Sequence, residues 1–191
     1  MEIWIVIGIL VLLLVVWPVS TYNRFVRLRN AIAQAGGSID AVLKQRFDLL
    51  PNLAETVKRY AAHESSVLTQ VTAMRGGKQS YDELSAAEKN DFANRSLLGI
   101  RDFYAVAEQY PELKASDHFM HLQRTLNEQE EQISAARRTY NAMVTEYNNA
   151  IQSFPASVIA GLSRFYPEQV LEISEEERAV PNLSDLFGNN N

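Results

Sequence analysis

Two histidines in the second half of the chain are the side chains best suited to metal chemistry. His118 and His121 are three residues apart in a segment of helical character and follow Asp117, so these side chains can lie close together on one helix. Imidazole and carboxylate groups are ordinary zinc ligands, but a zinc site needs three or four of them, and no further ligand follows at a compatible spacing. The pattern therefore predicts an exposed pair at the start of a helix, with a metal-dependent enzyme as the minor alternative.

The sequence lacks the other motifs that would indicate catalysis. His63 and Glu64 are not followed by the second histidine of a zinc-protease helix, and no Glu-x-x-His pair is present for a di-iron bundle. There is no Gly-rich phosphate loop and no G-x-S-x-G context for a nucleophilic serine. The absence of cysteine excludes disulfides, thiolate metal ligands and a cysteine nucleophile. We therefore expect neither an enzyme nor a cofactor.

Several polar side chains occupy or flank positions where a helix face should be apolar. Arg46 and Asp48 flank Phe47 just before the stretch LLPNL, and Glu64 interrupts an apolar series. Such groups must reach solvent or find a partner, because burying an unpaired charge is costly. We expect Arg46 to extend its charged end to solvent, and Glu64 to pair with Arg137 or Arg138 and fix the register of two helices. The alternative is a cluster that recognises a partner.

The dipeptide Tyr-Asn recurs one heptad apart, at residues 140–141 and 147–148. Both tyrosines then share one face of a helix and both asparagines share the neighbouring face, where amides can hydrogen-bond to another helix. Packing is the expected role, and a ligand slot is the alternative. The candidate interaction or register-setting residues are Arg46, Asp48, Pro51, Asn52, Glu64, Arg137, Arg138, Tyr140, Asn141, Tyr147 and Asn148.

An uncharged apolar run opens the chain, from Ile3 to Val19. As a helix it covers roughly 25 Å, close to the thickness of the hydrocarbon core of a bilayer. Trp4 and Trp17 lie near its two ends, where indole rings prefer the headgroup level of a membrane. A secretory signal would need a basic start and a small-residue cleavage site, and neither is present. The run is therefore predicted to be a retained, single-pass membrane anchor.

Basic residues follow this anchor and none precedes it. Arg24, Arg27 and Arg29 come within ten residues of its end, with Lys44 and Arg46 further on. The positive-inside rule therefore places the body of the protein in the cytoplasm, with an extracytoplasmic body as the alternative.

The rest of the chain has the composition and periodicity of long helices. Apolar residues recur at spacings of three and four up to Gly76 and Gly77, which mark a helix end. Within this stretch, either Asp48 caps a new helix with Pro51 in its first turn, or one helix runs from Ser38 through Pro51 with a kink. A second helix begins at Ser85, which forms a capping box with Glu88, and ends at Pro111. A third runs from Ser116 or Asp117 to Pro155, and its heptad series comprises Phe119, Leu122, Leu126, Gln129, Ile133, Ala136, Tyr140, Met143, Tyr147, Ala150 and Phe154. We predict an all-α fold in which the transmembrane helix joins an elongated antiparallel bundle of coiled-coil type.

The C-terminal stretch is predicted to be less regular. Val158, Ile159, Leu162 and Phe165 fit one face of a short amphipathic helix that docks on the bundle, with a membrane or a partner as the alternative surface. An acidic, partly disordered tail follows from Glu172. The predicted divisions are an anchor over 1–21, a helical bundle over 22–155 and this segment with its tail over 156–191.

Four stretches of the body resemble the LemA family, and the resemblance extends from Tyr22 to about Pro155. They read DLLPNL, VKRYAAHE, YPELKAS and RRTYNAMVTEYN. The resemblance implies an all-α bacterial protein on one N-terminal membrane segment, and it supplies no catalytic residues. Relatives associated with building magnetosome membranes favour a scaffold. Some relatives are anchored through a lipidated cysteine directly before a Tyr-Asn pair that corresponds to Tyr22 and Asn23 here, which implies an extracytoplasmic body. In this chain Ser20 and Thr21 stand in that place.

The sequence thus leads to a first hypothesis of a membrane-anchored helical scaffold whose copies self-associate as a homo-oligomer. The alternative is an adaptor that tethers an envelope protein or a protease through the DLLPNL region or the acidic tail. Besides the lipid bilayer, the expected partners are therefore further copies or such an envelope protein. Nucleic acid is not expected, because the chain carries a net charge of -5.

Overall fold

The computed structural model describes the backbone of residues 2–60 and 65–171, and within these ranges it contains helices and no strand. The predicted all-α class is therefore confirmed, including the long N-terminal apolar helix. A short 3₁₀ turn, Tyr81–Glu83, separates the second and third helices. The α-helices are α1 Glu2–Tyr60, α2 Ser65–Met74, α3 Ala86–Glu108, α4 Pro111–Lys114, α5 Asp117–Gln152 and α6 Ala156–Leu162.

The first helix settles the alternative that the sequence left open at Pro51. α1 runs without a break through Pro51, so Asp48 does not cap a new helix. A proline inside a helix removes one backbone hydrogen bond, and the surrounding packing must compensate for this loss. Leu50, Leu53 and Ala54 are all buried around Pro51 and provide that packing. One helix therefore carries both the apolar N-terminal run and the first part of the body.

Other helix ends follow the predicted chemistry. α2 ends before Gly76 and Gly77, whose φ angles of 61° and 72° lie in the left-handed region that glycine adopts without strain. Ser85 begins α3 with a reciprocal capping box to Glu88, as predicted. The hydroxyl of Ser116 accepts a hydrogen bond from the backbone N–H of Phe119 at the start of α5. Pro111 does not end α3 directly but opens the short helix α4.

The chain divides into two compact units. Unit 1 comprises residues 1–36 and 136–191, and unit 2 comprises residues 37–135. In unit 1 the described residues of α1, α5 and α6 share one apolar core. Its buried members are Phe25, Ile32, Val144, Tyr147, Ala150, Ile151 and Ala160.

Unit 2 has an aromatic core. Phe47 of α1, Tyr81 of the 3₁₀ turn and Phe92 of α3 make edge-to-face contacts, with ring centroids 5.3 to 6.0 Å apart. The guanidinium of Arg75 lies 4.4 Å from the centre of the Phe47 ring, so the turn that follows α2 contributes a cation–π contact to the same core. Phe103 and Phe119 form a second aromatic contact between α3 and α5.

The buried stripe of α5 departs from the predicted heptad positions toward its C-terminal end. Val144 and Ile151 are buried although the heptad series did not include them, and Phe154, which it did include, is exposed. A straight α-helix has 3.6 residues per turn, so its buried face drifts relative to a strict heptad. Phe154 also lies beyond Gln152, where the helix ends.

The short amphipathic helix is present as α6, but its buried face differs from the prediction. Ala160 is buried, and Ile159 and Phe165 pack against the core of unit 1. Val158 and Leu162, expected on the same face, are exposed. Because α6 spans only Ala156–Leu162, the buried side centres on Ala160, and Phe165 reaches the core from the chain beyond the helix.

Candidate functional site

A buried charged group in unit 2 is formed by Arg46, Tyr104 and Glu130, and we call it the Arg46 cluster. Arg46 is only 2% exposed, and its guanidinium donates a hydrogen bond to the Glu130 carboxylate on α5. The prediction that Arg46 reaches solvent is therefore wrong. Leu43 and Leu50 lie on the same face of α1 and are buried as well. The Arg46 guanidinium therefore needs a carboxylate from another helix as its partner. Glu130 supplies that counter-charge and avoids the cost of an unpaired buried cation.

The Arg46 cluster contains polar atoms without partners. Within the described part of the chain, the Nε of Arg46 and the hydroxyl of Tyr104 are buried and make no hydrogen bond, and neither does the side-chain oxygen of Gln129. Burial raises the pKa of Tyr104, while the positive charge of Arg46 acts in the opposite direction. Unsatisfied buried polar groups are uncommon in folded proteins, and each one costs stability.

A second polar group of unit 2 is fully paired. The Tyr81 hydroxyl donates to one oxygen of Asp40 at 2.9 Å, and Lys89 donates to the other oxygen at 3.1 Å. Burial, followed by the hydrogen bond to Asp40, raises the pKa of Tyr81 well above its usual value. Lys44 forms an exposed ion pair with Asp82, and the hydrogen bond to that carboxylate raises the pKa of Lys44. These contacts fasten the 3₁₀ turn to α1 and have a structural role.

Two surface cavities flank the DLLPNL end of α1, and Glu55 lines both. The first is polar, has a volume of about 280 Å³ and contains the exposed His118 and His121 at the start of α5, where an exposed pair was predicted. The described residues hold no group of three potential metal ligands. This cavity is lined by Asn52, Glu55, Thr56, Arg59, Tyr60, His118, His121 and Leu122.

The second cavity is larger, about 360 Å³, and lies between α1 and α2. Its lining carries three basic side chains, Lys58, Arg75 and Lys78, against one carboxylate, Glu55. A carboxylate or another anion is therefore the ligand chemistry that this cavity favours. The remaining lining residues are Pro51, Ala54, Val71, Thr72, Gly77 and Gln79.

The two asparagines of the Tyr-Asn repeats bind an extended segment of the chain, which we call the strap, residues 165–171. The side-chain amide of Asn148 donates to the carbonyl of Glu168 at 2.8 Å, and its oxygen accepts from the Glu168 N–H at 2.9 Å. Asn141 makes the same pair of bonds with Leu171, at 2.9 and 2.8 Å. The asparagines therefore hold backbone of the strap, and not another helix as the sequence had indicated.

The spacing of the asparagines explains this match. Seven residues of α-helix rise about 10.5 Å. Three residues of extended chain span about 9 to 10 Å, so residues three apart in the strap align with residues seven apart in α5. Tyr147, which precedes Asn148, adds a further contact: its hydroxyl donates to the carbonyl of Tyr166 at 3.1 Å. Burial raises the pKa of Tyr147, with a further contribution from the charge of Glu168.

The other predicted site residues are dispersed. Asp48 is exposed and Tyr140 is half-buried, with its ring beside Gly36. Arg137 is half-buried and Arg138 is exposed, while Glu64, their predicted partner, lies outside the described residues. Trp4 and Trp17 are exposed on the apolar run of α1.

The sequence indicated several of the site residues, but not the groups to which they bind. Glu130 and Tyr104 showed no distinguishing pattern, because one is an ordinary helix glutamate and the other stands beside a core phenylalanine. Gln129 did carry a signal, since it occupies a position in an otherwise apolar helix face. The strap residues Glu168 and Leu171 take part through their backbone, which leaves no trace in residue type.

These helices and the exposed apolar run define an all-α protein with a candidate membrane anchor at its N-terminal end. Among the described helices, α1 alone is long and apolar enough to cross a membrane. The LemA family model matches residues 35–184, so the chain belongs to the LemA family. The match begins later and ends later than the resemblance from Tyr22 to Pro155.

Individual relatives agree with this assignment. Protein LemA of Metamycoplasma hominis is 29% identical over 170 residues, which cover 88% of this chain and 76% of that protein. Magnetosome protein MamQ of Magnetospirillum gryphiswaldense is 25% identical over 172 residues, and Magnetosome protein MamQ 2 of Paramagnetospirillum magneticum is 26% identical over 172 residues. Each alignment covers 75% of this chain and 62% of the magnetosome protein. None of these relatives is named for an enzymatic activity.

Proposed function

We propose that the chain is a membrane-anchored helical scaffold whose copies self-associate, with the body on the cytoplasmic side of the inner membrane. The observation that carries this proposal is the first part of α1. Its apolar side chains from Ile3 to Trp17 are almost all more than half exposed, and no other described segment covers them. In this proposal lipid and other copies of the anchor together remove this apolar surface from water.

Self-association is tested by single-cysteine energy transfer, since the chain has no native cysteine. Gln123, exposed on α5, is replaced by cysteine, and donor- and acceptor-labelled protein is mixed in vesicles at increasing lipid-to-protein ratios. A scaffold retains energy transfer on dilution with lipid. A chain of the same anchor composition with residues 3–19 in shuffled order controls for crowding. Transfer that falls to the level of the shuffled control at every dilution contradicts self-association.

The orientation is tested with the same Gln123→Cys variant and a membrane-impermeant maleimide. Protection in intact spheroplasts and labelling after lysis support a cytoplasmic body, as the arginines after the anchor indicate. Labelling in intact spheroplasts places the body outside the cytoplasm and overturns this part of the proposal. Self-association is measured independently, so it does not depend on this result.

An adaptor is the second candidate, and the basic cavity between α1 and α2 favours it. Lys58, Arg75 and Lys78 line a recess that suits an acidic peptide. The test compares binding of a fluorescent poly-glutamate peptide to the protein, to Lys58→Glu/Lys78→Glu and to the charge-matched control Lys114→Glu/Arg124→Glu, whose basic residues are exposed on α4 and α5. Binding that the cavity variant loses and the control keeps supports an adaptor. Equal binding by all three proteins contradicts it.

A further inference from the structure

The helix α6 has an inner face that is accounted for by packing. Ala160 is 3% exposed, and Ile159 and Phe165 pack on the core of unit 1. The Phe165 ring makes edge contacts with Tyr22 and Phe25 of α1, with centroids 5.5 and 5.3 Å apart. These contacts fix α6 beside the segment of α1 that directly follows the apolar run.

The outer side of α6 is apolar as well. Val158 is 55% exposed and Leu162 is 83% exposed, and the flanking Phe154 and Tyr166 are 84% and 70% exposed. Four large apolar side chains around a helix of seven residues form a patch that a water-facing surface rarely carries. The patch therefore needs an apolar surface to cover it.

The position of the patch identifies that surface. A groove of about 350 Å³ lies between α6 and α1, lined by Pro18, Val19 and Tyr22 on one side and by Ile159 and Leu162 on the other. Pro18 and Val19 are the last residues of the uncharged run, and the run of roughly 25 Å needs about three more residues to match a hydrocarbon core of about 30 Å. The groove therefore lies where the anchor leaves the bilayer, and it continues the lipid-facing surface of the anchor.

The charges around the patch agree with a lipid surface. Arg24 and Arg27 are exposed on α1 just beyond the groove, and Arg164 is exposed just beyond α6. The sequence has no Asp or Glu from residue 3 to 39 or from 147 to 167. A basic, acid-free border suits the phosphate groups of lipids, while aromatic side chains such as Tyr166 favour the headgroup level.

We propose that the outer face of α6, with Phe154 and Tyr166, inserts into the headgroup and upper acyl region of the bilayer beside the anchor. The chain then has two lipid contacts, one that spans the membrane and one that lies in its surface. This inference rests on the part of the proposed function that places the anchor in the membrane, and it is independent of self-association.

The test measures the depth of single cysteines carrying a bimane fluorophore. The full chain is reconstituted in vesicles of phosphatidylcholine and phosphatidylglycerol that contain lipids with a spin-label quencher either near the headgroup or near the chain end. Leu162→Cys reports on α6 and Leu10→Cys on the anchor. Ala142→Cys is the matched control on an exposed position of α5 in unit 1. Because Leu162 and Ala142 are exposed, these replacements leave the core intact, and circular dichroism verifies the fold.

The expected result is shallow quenching at Leu162, deep quenching at Leu10 and no quenching at Ala142. Quenching at Leu10 with none at Leu162 overturns the inference while the anchor stands. If, in addition, Leu162→Cys forms disulfide-linked dimers on mild oxidation, a second copy covers the patch and not lipid. An unquenched Leu10 overturns both the inference and the membrane anchor of the proposed function.

Discussion

The Asn141–Asn148 pair of unit 1 and the Arg46 cluster of unit 2 both place polar side chains against the interior of a helical protein. They differ in how completely the polar atoms are hydrogen-bonded. Each asparagine donates one hydrogen bond to the strap and accepts one from it, so both the nitrogen and the oxygen of its side-chain amide have a partner. The Arg46 cluster has one strong ion pair and leaves the Arg46 Nε and the Tyr104 hydroxyl without partners. Satisfied polar groups stabilise a structure, whereas unsatisfied buried ones cost stability.

The largest effect is expected from breaking the ion pair of the Arg46 cluster. Glu130→Ala leaves the Arg46 guanidinium buried without a counter-charge, and we expect a loss of about 3 kcal/mol in the free energy of unfolding, since solvent still reaches the position of Glu130. Urea unfolding in detergent, followed by circular dichroism, measures it. The control is Glu131→Ala, an exposed neighbour, with an expected change within about 0.5 kcal/mol. Equal losses in the two variants would mean that the pair contributes nothing.

The next effect tests the strap. Asn141→Ala with Asn148→Ala removes four hydrogen bonds, and we expect a loss of about 2 kcal/mol that is local to the strap, since these bonds are partly exposed. Hydrogen exchange at the amides of Glu168 and Leu171 measures the change, and it should become faster while exchange in α3 stays constant. Asn149→Ala, an exposed neighbour on α5, is the control. Unchanged exchange in the double variant would show that the asparagines do not hold the strap.

A smaller, pH-dependent effect is expected at the paired Tyr81. The pKa of Tyr81 is raised in the folded protein, so the unfolded chain releases this proton first, near pH 10. Stability from Tyr81 is therefore present below about pH 10 and falls as the pH rises further. Tyr81→Phe should cost about 1 kcal/mol at pH 7 through the lost hydrogen bond to Asp40, and less at pH 11. Unfolding midpoints at both pH values test this, and a constant difference would contradict it.

The smallest effect is expected at Tyr104. Its hydroxyl is buried without a partner, so Tyr104→Phe removes a desolvated polar group and should change stability by less than about 1 kcal/mol, in the stabilising direction. The same urea unfolding experiment measures it. A clear loss of stability would mean that this hydroxyl has a hydrogen-bond partner in solution. The Arg46 cluster would then be closer to the Asn141–Asn148 pair in how fully its polar atoms are paired.

Local chemistry made part of this structure predictable. The capping box at Ser85, the stop at Gly76 and Gly77 and the start of α5 at Ser116 each depend on a few neighbouring residues, and the sequence predicted all of them. The course of α1 through Pro51 depends on tertiary packing, which sequence periodicity does not report. The exposed face of α6 was missed for a related reason: the apolar pattern shows which side chains avoid water, but not whether protein or lipid covers them.

The candidate site was predictable in its residues and not in its contacts. Arg46, Asn141 and Asn148 stood out because polar groups on predicted buried faces need partners. Glu130 lies 84 residues from Arg46, and no local rule connects them. The strap partners of the asparagines are backbone groups, which every residue except proline presents equally.

Proline is the exception, and Pro167 restricts where the strap can lie along α5. Asn148 needs a residue that offers both an N–H and a C=O, and Glu168 does so directly after Pro167. If the strap slid by one residue so that Pro167 faced Asn148, the amide oxygen would lose its donor, because proline has no N–H. Asn141 would have to change its partner in the same movement. Pro167 therefore disfavours a shift of the strap by one residue in that direction.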